Sequence, residues 1–324
     1  MSVFTANPAN SVRSLGEREL LNRIREWLGA AAPASPRGMG DDCAVLPASV
    51  APVNLVTVDA LVYGRHFDDS VPAASAGAKL LKRNLSDIAA MGGTPLSAVV
   101  SLILAPETRV DFLEAFTRGM AACALEYGVT IVGGDLTEAP GFFGGSLTLL
   151  GHAARPITRK GGQIGDWIAV TGALGGSILG HHHEFTPRLR EGAWLAAQPD
   201  LCGMMDVTDG LAKDLCELLP VGGAAALDLA ELPLSEAATE LAARDGLSAL
   251  DHALTDGEDY ELVFTVSKET DPIAFRARYE EALGKPPCFI GKIIAHVGRI
   301  RLLEANTLLP ITPGTGYEHF GKIN

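Results

Sequence analysis

The spacing of apolar residues in the first half of the chain alternates between a helical and a strand-like period. Residues 17–30 carry apolar side chains every three or four positions, which predicts an amphipathic helix. Residues 76–93, which end at a glycine pair, and residues 109–127 also predict helices. Runs rich in β-branched residues predict strands at 54–62, 96–104, 129–135 and 145–154.

The pattern of residue types changes near residues 155–165, where "RPITRKGGQIG" is typical of a loop. Beyond it, "DWIAVTG" predicts a strand, "GMMDVTDGLAKDLCELLP" a turn that opens a helix ending at Pro220, and "DGEDYELVFTV" a loop that runs into a strand. Each half offers several strands and at least two helices. The sequence therefore predicts two α/β (α+β) domains, residues 1–154 and 155–324.

Composition narrows the class of protein. The chain has 324 residues, 47% of them hydrophobic, and a net charge of −13, which argues against a nucleic-acid partner. The N-terminus lacks the pattern of a signal peptide, and no apolar run approaches the roughly 20 residues of a membrane span. The five cysteines are scattered without a C-x-x-C pair, as in reduced thiols. We expect a cytoplasmic protein with no membrane partner.

Several familiar signatures of nucleotide and nucleophile chemistry are missing from the sequence. It has no G-x-x-x-x-G-K-[ST] loop, no protein-kinase set and no G-x-S-x-G elbow. "GALGGSILG" follows a strand but does not match G-x-G-x-x-G, and a tight turn before a helix is the simpler interpretation. "HHHE" at 181–184 is interpreted as a mobile surface loop in preference to a metal site.

Acidic residues in apolar or glycine-rich settings are the remaining chemical signal in the first half. Asp41 and Asp42 are adjacent, and their repulsion is offset either by solvent at a turn or by a bound cation. Asp59 either ends a strand or binds a ligand. Asp87 lies near the negative end of a helix, where an anion is unfavourable, and either pairs with Arg83 or has a functional role.

The same signal continues along the chain. Asp135 closes a buried strand, at the kind of strand end where α/β proteins gather ligands. Asp206 and Asp209 bracket a helix start, where a helix cap by Thr208 or Asp209 is an adequate alternative. Glu258 and Asp259 precede a strand, and each alone could be a turn residue. Oxygen ligands without histidine or cysteine suit Mg²⁺, so the set as a whole predicts a Mg²⁺-dependent enzyme that acts on phosphates.

Taken together, the motifs resemble those of the thiamine-monophosphate kinase family, in that family's order over nearly the whole chain. They are "GMGDDCAVL", "TVDALVYGRHF", "NLSDIAAMGGTP", "IVGGDLT", "PITRKGGQIGDWIAVTG", "DVTDGL", "GEDYELVFT" and "GYEHF". The resemblance implies a two-domain aminoimidazole-ribonucleotide-synthetase-like fold whose N-terminal domains pair in a homodimer. It also implies ATP and thiamine monophosphate as substrates, with several Mg²⁺ ions.

The resemblance also implies roles for particular residues. The Mg²⁺ ligands would be Asp42, Asp59, Asp87, Asp135, Asp206 and Asp209, helped by the Thr57–Val58 backbone region. ATP would face Gly134, Asp135, Arg159 and Thr208, and thiamine monophosphate would face His66, Glu258 and Tyr317. No residue is expected to act as nucleophile or base, and transfer would be supported by Asp135, Asp209 and Arg159.

Three positions depart from the pattern of the family. Val58 stands where Thr or Ser is usual, so a side-chain oxygen is lost, Thr208 replaces Ser, and Leu136 replaces Thr. None of these changes removes a carboxylate. Two other hypotheses stay open at this point: an ATP-dependent synthetase or maturation enzyme of the same superfamily that works through a phosphorylated intermediate, and a nucleotide-sensing protein without catalysis.

Overall fold

A computed structural model describes residues 2–34, 37, 53–296, 300–304 and 307–310. The chain divides into two compact units: Met1–Ile88 with Thr94–Ala154, and Ala89–Gly93 with Arg155–Asn324. The part of the chain that the structure describes contains no helix long and apolar enough to cross a membrane. Each unit is built on its own sheet.

The first unit carries a four-stranded sheet in the order β1-β4-β2-β3. β4 runs antiparallel to β1 and to β2, whereas β2 and β3 are parallel. The strands are β1 Val53–Val62, β2 Thr94–Leu104, β3 Thr130–Glu138 and β4 Phe143–Ala153. The helices are α1 Glu17–Leu28, α2 Ala73–Ala90 and α3 Val110–Glu126, and the last two residues of α2 are counted with the second unit.

One face of this sheet is protected and the other is open. Along β1 the better-protected residues alternate with exposed ones, and Val56 and Val58 are 69% and 60% exposed. The protected face is covered by α2, which packs closely on α3: a Cβ at Gly77 would lie 1.8 Å from the carbonyl oxygen of Phe116. Glycine is therefore required where these two helices cross.

The second unit carries a seven-stranded mixed sheet in the order β11-β10-β7-β9-β5-β8-β6. Among these strands, β7 and β10 are parallel and the other neighbours are antiparallel. The strands are β5 Trp167–Val170, β6 Leu201–Asp206, β7 Gly223–Asp228, β8 Leu262–Val266, β9 Cys288–Ala295, β10 Ile300–Glu304 and β11 Thr307–Pro310. The helices are α4 His181–Glu184, α5 Leu189–Ala196, α6 Leu211–Leu218, α7 Glu236–Asp245, α8 Ala249–Thr255 and α9 Pro272–Leu283.

Both faces of the central strands in the second unit are buried. Successive residues of β8 alternate between two apolar clusters, with Val263 in one and Phe264 in the other, and every residue of the strand is buried. A strand covered on both sides is typically a continuous apolar run, which is what "LVFTV" nearly is. The predicted α/β fold class is confirmed by the two mixed sheets and their helices.

One interpretation from the sequence is wrong. Residues 181–184 form the short helix α4 and not a mobile surface loop, and two of its histidines, His182 and His183, are buried. The helix packs against the loop at 256–261, where the ring Nε2 of His181 lies 2.8 Å from the carbonyl oxygen of Asp259. This contact joins residues 78 positions apart, which local spacing cannot indicate.

Candidate functional site

On the protected face of the first sheet, two predicted metal ligands have polar partners. Arg83, on α2, donates to the Asp59 carboxylate at 3.3 Å and to the carbonyl oxygen of Ala60 at 2.7 Å. The Thr57 hydroxyl donates to the Asp87 carboxylate. α2 therefore brings Asp87 to the same stretch of β1 that carries Thr57 and Asp59, because the last two side chains point to one face of the strand.

Val58 lies on the other side of β1. Its side chain is exposed on the open face, whereas the neighbouring Thr57 and Asp59 point toward α2. The missing side-chain oxygen at this position therefore belongs to the open face and not to the face that carries Asp59 and Asp87. The backbone of Val58 pairs with Thr148 of β4.

Asp135 lies at the opposite edge of the same sheet. It is exposed and pairs with Ser101 of β2, whose row continues through Ser146 to Ala60 on β1. The three strand spacings from β3 to β1 amount to about 14 Å. The row that contains Asp135 lies on the open face of the sheet, whereas Asp59 lies on the protected face. Within this unit the structure therefore does not bring Asp135 next to Asp59.

Gly134 is required by its neighbour in the sheet. A Cβ at this position would lie 2.0 Å from the carbonyl oxygen of Val100, so only glycine allows this approach of β3 to β2. The resemblance to the family implies that Gly134 faces ATP; the packing requirement is an independent reason for glycine here.

His66 follows β1 and is held by the backbone. Its Nδ1 accepts a hydrogen bond from the amide of Val62 at 3.0 Å, so this nitrogen carries no proton in the arrangement seen here. The ammonium group of Lys79 donates to the carbonyl oxygen of His66 at 2.8 Å. These bonds fix the position of the imidazole, which is half-buried.

In the second unit, the turn between β6 and α6 gathers the predicted phosphate-site residues. Asp206 is the last residue of β6 and is buried, and Thr208 and Asp209 follow it. The amides of Thr208 and Asp209 both donate to one carboxylate oxygen of Asp214, at 2.7 and 2.8 Å. Lys213 donates to the Asp209 carboxylate at 2.6 Å.

Asp214, which the sequence analysis did not single out, accepts hydrogen bonds from this turn. Burial raises the pKa of its carboxyl to about 7, with smaller contributions from the charges of Asp206 and Asp209. A signal was present, since Asp214 interrupts the apolar face that Leu211, Leu215 and Leu218 form on α6. A carboxylate at a buried helix position needs hydrogen-bond donors, and here the turn supplies them.

Glu258 lies in a strained loop that returns to this turn. Its amide donates to the carbonyl oxygen of Thr208 at 2.8 Å. Glu258 and Tyr260 have φ values of 54° and 51°, which are unfavourable for residues with a side chain. The ring of Tyr260 stacks on Phe185 at 3.8 Å, its hydroxyl donates to Glu258 at 3.1 Å, and His182 lies 3.7 Å from the same carboxylate.

The glycine-rich segment after β5 forms a tight turn. Gly175 and Gly176 have φ values of 87° and 72°, and their amides donate to the carboxylates of Asp259 and Asp256. The turn therefore uses these amides within the protein. They do not form a cradle for phosphate.

The remaining predicted residues fall into two groups. Arg159 is exposed, and its carbonyl oxygen lies beside Gly203 of β6, where a Cβ would come within 3.0 Å of it. Asp42, with Asp41, and Tyr317 lie outside the described residues. Within residues 53–296 and the shorter described segments, no three His, Cys, Asp or Glu side chains gather in an arrangement that could hold a metal ion.

Comparisons with known proteins agree on the family. The family model of AIR synthase related protein, N-terminal domain, matches residues 40–153. A thiamine-monophosphate kinase of Rhodopirellula baltica is 38% identical, with 87% of this chain and 90% of that protein covered. The crystal structure of a thiamine-monophosphate kinase from Stenotrophomonas maltophilia matches with a TM-score of 0.72 and 33% identity, over 87% of this chain and 95% of that one.

A further solved structure carries bound ligands. A complex described as AaThiL with AMPPCP and TMP matches with a TM-score of 0.66 and 27% identity, over 95% of this chain and 98% of that one. The resemblance that the motifs carry is confirmed by these matches, which extend over both halves of the chain. The chain belongs to the thiamine-monophosphate kinase family, within the AIR-synthase-like superfamily.

Proposed function

We propose that the protein transfers the γ-phosphoryl group of ATP to thiamine monophosphate and forms thiamine diphosphate and ADP. The relatives' names and the complex with AMPPCP and TMP support this reaction. The structural observation that carries it is the turn after β6. There a buried carboxylate, Asp214, fixes two consecutive amides between the acidic residues Asp206 and Asp209.

In the proposed mechanism the protein aligns the two substrates and neutralises their charge, but it forms no covalent bond with them. A phosphate oxygen of thiamine monophosphate is ionised at neutral pH, so it can attack the γ-phosphorus in line without a general base. Gly134, Asp135, Arg159 and Thr208 face ATP in this proposal, and His66, Glu258 and Tyr317 face thiamine monophosphate. Positioning and electrostatic stabilisation then account for the rate.

The donor set fits Mg²⁺ in its chemistry. The residues that would hold the ions offer oxygen atoms alone, and the crowding of carboxylates around Asp214 is the kind of repulsion that a divalent cation offsets. Bound Mg²⁺ would neutralise charge on the transferring phosphoryl group. The proposed ligands are Asp42, Asp59, Asp87, Asp135, Asp206 and Asp209, with the Thr57–Val58 backbone region.

We assign different roles to the two halves of the chain. Residues 1–154 are proposed to bind ATP and Mg²⁺ and to pair in a homodimer, and residues 155–324 to complete the substrate and phosphate site. The open, apolar face of the first sheet, which exposes Val56, Val58 and Val99, supports the pairing because such a patch is rarely left in water.

The test is a product assay with the purified chain, MgATP and alternative acceptors. We expect thiamine diphosphate and ADP in equal amounts from thiamine monophosphate, and no comparable product from unphosphorylated thiamine. Thiamine lacks the ionised nucleophile, and the proposed site has no base to replace it. Equal turnover on both acceptors would contradict the base-free mechanism, and absence of product from both would contradict the proposed function.

A further inference from the structure

A buried histidine that the transfer described above does not use lies between two carboxylates of the second unit. His252, on α8, is 2% exposed. Its Nδ1 lies 3.0 and 3.1 Å from the two carboxylate oxygens of Asp256, which follows the helix. Its Nε2 lies 3.3 Å from a carboxylate oxygen of Asp245, the last residue of α7. We call these contacts with Asp245 and Asp256 the His252 bridge.

The geometry of the His252 bridge fits a protonated ring. The oxygens of an ionised carboxylate only accept hydrogen bonds, and a neutral imidazole donates from one nitrogen alone. Both contacts are therefore hydrogen bonds only when both ring nitrogens carry a proton. Burial lowers the pKa of His252, but the hydrogen bonds and charges of Asp256 and Asp245 outweigh burial, and the pKa lies above its ordinary value. His252 is thus a buried cation that joins the end of α7 to the loop after α8.

The other charged groups on the elements around His252 have partners of their own. On α8, Asp251 accepts the hydroxyl of Ser248 at 2.6 Å, and the charge of His252 adds to the lowering of its pKa that this bond causes. On α7, Arg244 pairs with Glu240. The glycine turn that packs against α8 carries no charged side chain. On α6, which also packs against α8, the pairs are Lys213 with Asp209, Asp214 with the amides of the turn after β6, and Glu217 with Lys160.

Asp256 begins the loop that carries Glu258. One of its carboxylate oxygens, Oδ2, accepts the amide of Gly176 at 2.9 Å and also faces His252, so the carboxylate is fixed from two sides. Glu258 follows in the same loop with a φ of 54°, and a residue with a side chain keeps such a conformation only where its surroundings fix it. The position of Asp256 therefore helps to set the backbone from which the Glu258 side chain extends.

We propose that protonated His252 is a positioning residue for thiamine monophosphate: it fixes Asp256 and, through it, the loop from which Glu258 meets that substrate. This role rests on the proposed function, which supplies the substrate and the part played by Glu258. His252 contacts no reacting group, so loss of the His252 bridge weakens the binding of thiamine monophosphate and does not slow transfer once both substrates are bound. The affinity for ATP changes much less, because the residues proposed to face ATP lie outside this loop.

The His252 bridge depends on pH in one direction. Because the pKa of His252 is raised in the folded chain, the ring is charged at pH 6.5 and both contacts are made there. As the pH rises through the folded value, the ring loses a proton, and one nitrogen then directs a lone pair at a carboxylate. The KM for thiamine monophosphate should therefore rise toward pH 9. The substrate phosphate ionises near pH 6 in every variant alike, so the difference between variants reports on His252.

The experiment measures kcat and the KM for each substrate from pH 6.5 to pH 9 with the full chain. His252→Leu removes both hydrogen bonds, whereas His252→Asn keeps a donor near Asp256 that does not titrate. Asp245→Asn leaves His252 in place and lowers its pKa, and it is a mild change because the Asp245 side chain is 40% exposed. The matched controls are His296→Asn, an exposed histidine of the same unit, and Glu240→Gln, an exposed carboxylate on α7.

At pH 6.5 we expect His252→Leu to raise the KM for thiamine monophosphate about three- to tenfold, since part of the worth of one charge-assisted hydrogen bond reaches Glu258. The kcat and the KM for ATP should not change measurably. The gap between wild type and His252→Leu should shrink toward pH 9. His252→Asn should restore part of the KM, Asp245→Asn should shift the pH dependence down by roughly one unit, and both controls should follow the wild type.

Hydrogen exchange of the segment 256–261 reads the His252 bridge without catalysis. Compared at pH 6.5, this segment should exchange faster in His252→Leu than in the wild type, because a loop that has lost a contact opens more often. At pH 9 the two proteins should differ less. Equal exchange at pH 6.5 would overturn the proposed role of His252.

Two kinetic results would also overturn it. One is a KM for thiamine monophosphate that follows the wild type at every pH in His252→Leu and Asp245→Asn, and the other is an equal rise in KM for both substrates, as general damage to the fold would give. If His252→Leu does not fold, His252→Asn and Asp245→Asn decide in its place. A wild type that forms no thiamine diphosphate would refute the proposed reaction alone, and calorimetric titration with thiamine monophosphate would then test His252 in the same variants.

Discussion

The two sheets of the chain differ in how many of their faces are covered. In the first unit, β1 alternates protected and exposed residues, and the exposed positions include valines. In the second unit, β8 is buried along its whole length between two apolar clusters. A sheet with one solvated face normally carries polar residues on it. The comparison teaches that elements of the same chain cover both faces of the second sheet, whereas the first sheet leaves one apolar face that is suited to a partner.

The largest effect that tests this comparison is on stability. Phe264→Ala, in the doubly covered strand β8, should lower the free energy of unfolding by about 3–5 kcal/mol because it leaves a cavity in a packed core. Val58→Ala, on the open face of β1, should change it by no more than about 0.5 kcal/mol. Urea unfolding at low protein concentration measures both, and similar losses in the two variants would break the comparison.

The buried Asp214 adds a pH dependence to the stability of the second unit. Its pKa of about 7 lies above the value in the unfolded chain, so the folded state retains a proton that the unfolded state releases. Stability is therefore fully present below the unfolded pKa and is lost as pH rises toward 7, by up to about 4 kcal/mol.

The Asp214→Asn variant should remove this loss, because an amide oxygen can still accept from Thr208 and Asp209 and does not ionise. Urea unfolding at pH 4, 5.5 and 8 in the presence of a chelator compares the variant with wild type. An equal pH dependence in both proteins would show that Asp214 ionises normally in the fold.

Asp135, at the exposed edge of the first sheet, should separate activity from stability. Asp135→Asn is expected to raise the barrier to phosphoryl transfer by roughly 2.7–4 kcal/mol, as loss of an electrostatic stabiliser does. The melting temperature should not change, since the side chain is exposed. Turnover by the product assay and a thermal melt are the two measurements; a folded variant with wild-type turnover would exclude Asp135 from the site.

The smallest predicted effect concerns pairing through the open face. Val56→Asp should weaken dimerisation at least tenfold, or about 1.4 kcal/mol, because it buries a charge in the proposed contact. Val221→Asp is the matched control, since Val221 is a fully exposed valine of the second unit. Sedimentation over a range of concentrations reads the mass, and a dimer equally strong in both variants would place the contact elsewhere.

Much of the first unit could be predicted from the sequence. The spacing gave helices at 17–30 and 109–127 and the strand at 54–62, and the structure confirms α1, α3 and β1 there with shifts of one or two residues at most. These elements have one protected face each, so their periodicity is visible in the sequence. The second unit offered less, because a strand buried on both faces, such as β8, has little periodicity.

The site could be predicted only as a set of acidic residues. Their types and glycine neighbours indicated oxygen ligands, but which of them meet depends on sheet order, which places β1 and β3 at opposite edges. Asp214 was missed because its contact with the candidate site depends on two amides that fold back from the preceding turn.

The proposed function is tested most directly by following the label of [γ-³²P]ATP through a single turnover with thiamine monophosphate and an excess of the protein. The account predicts that label passes into thiamine diphosphate at the rate at which it leaves ATP, with no labelled protein or other intermediate at any time. Label that appears first on another species, or that is released as inorganic phosphate while thiamine monophosphate stays unchanged, would contradict it.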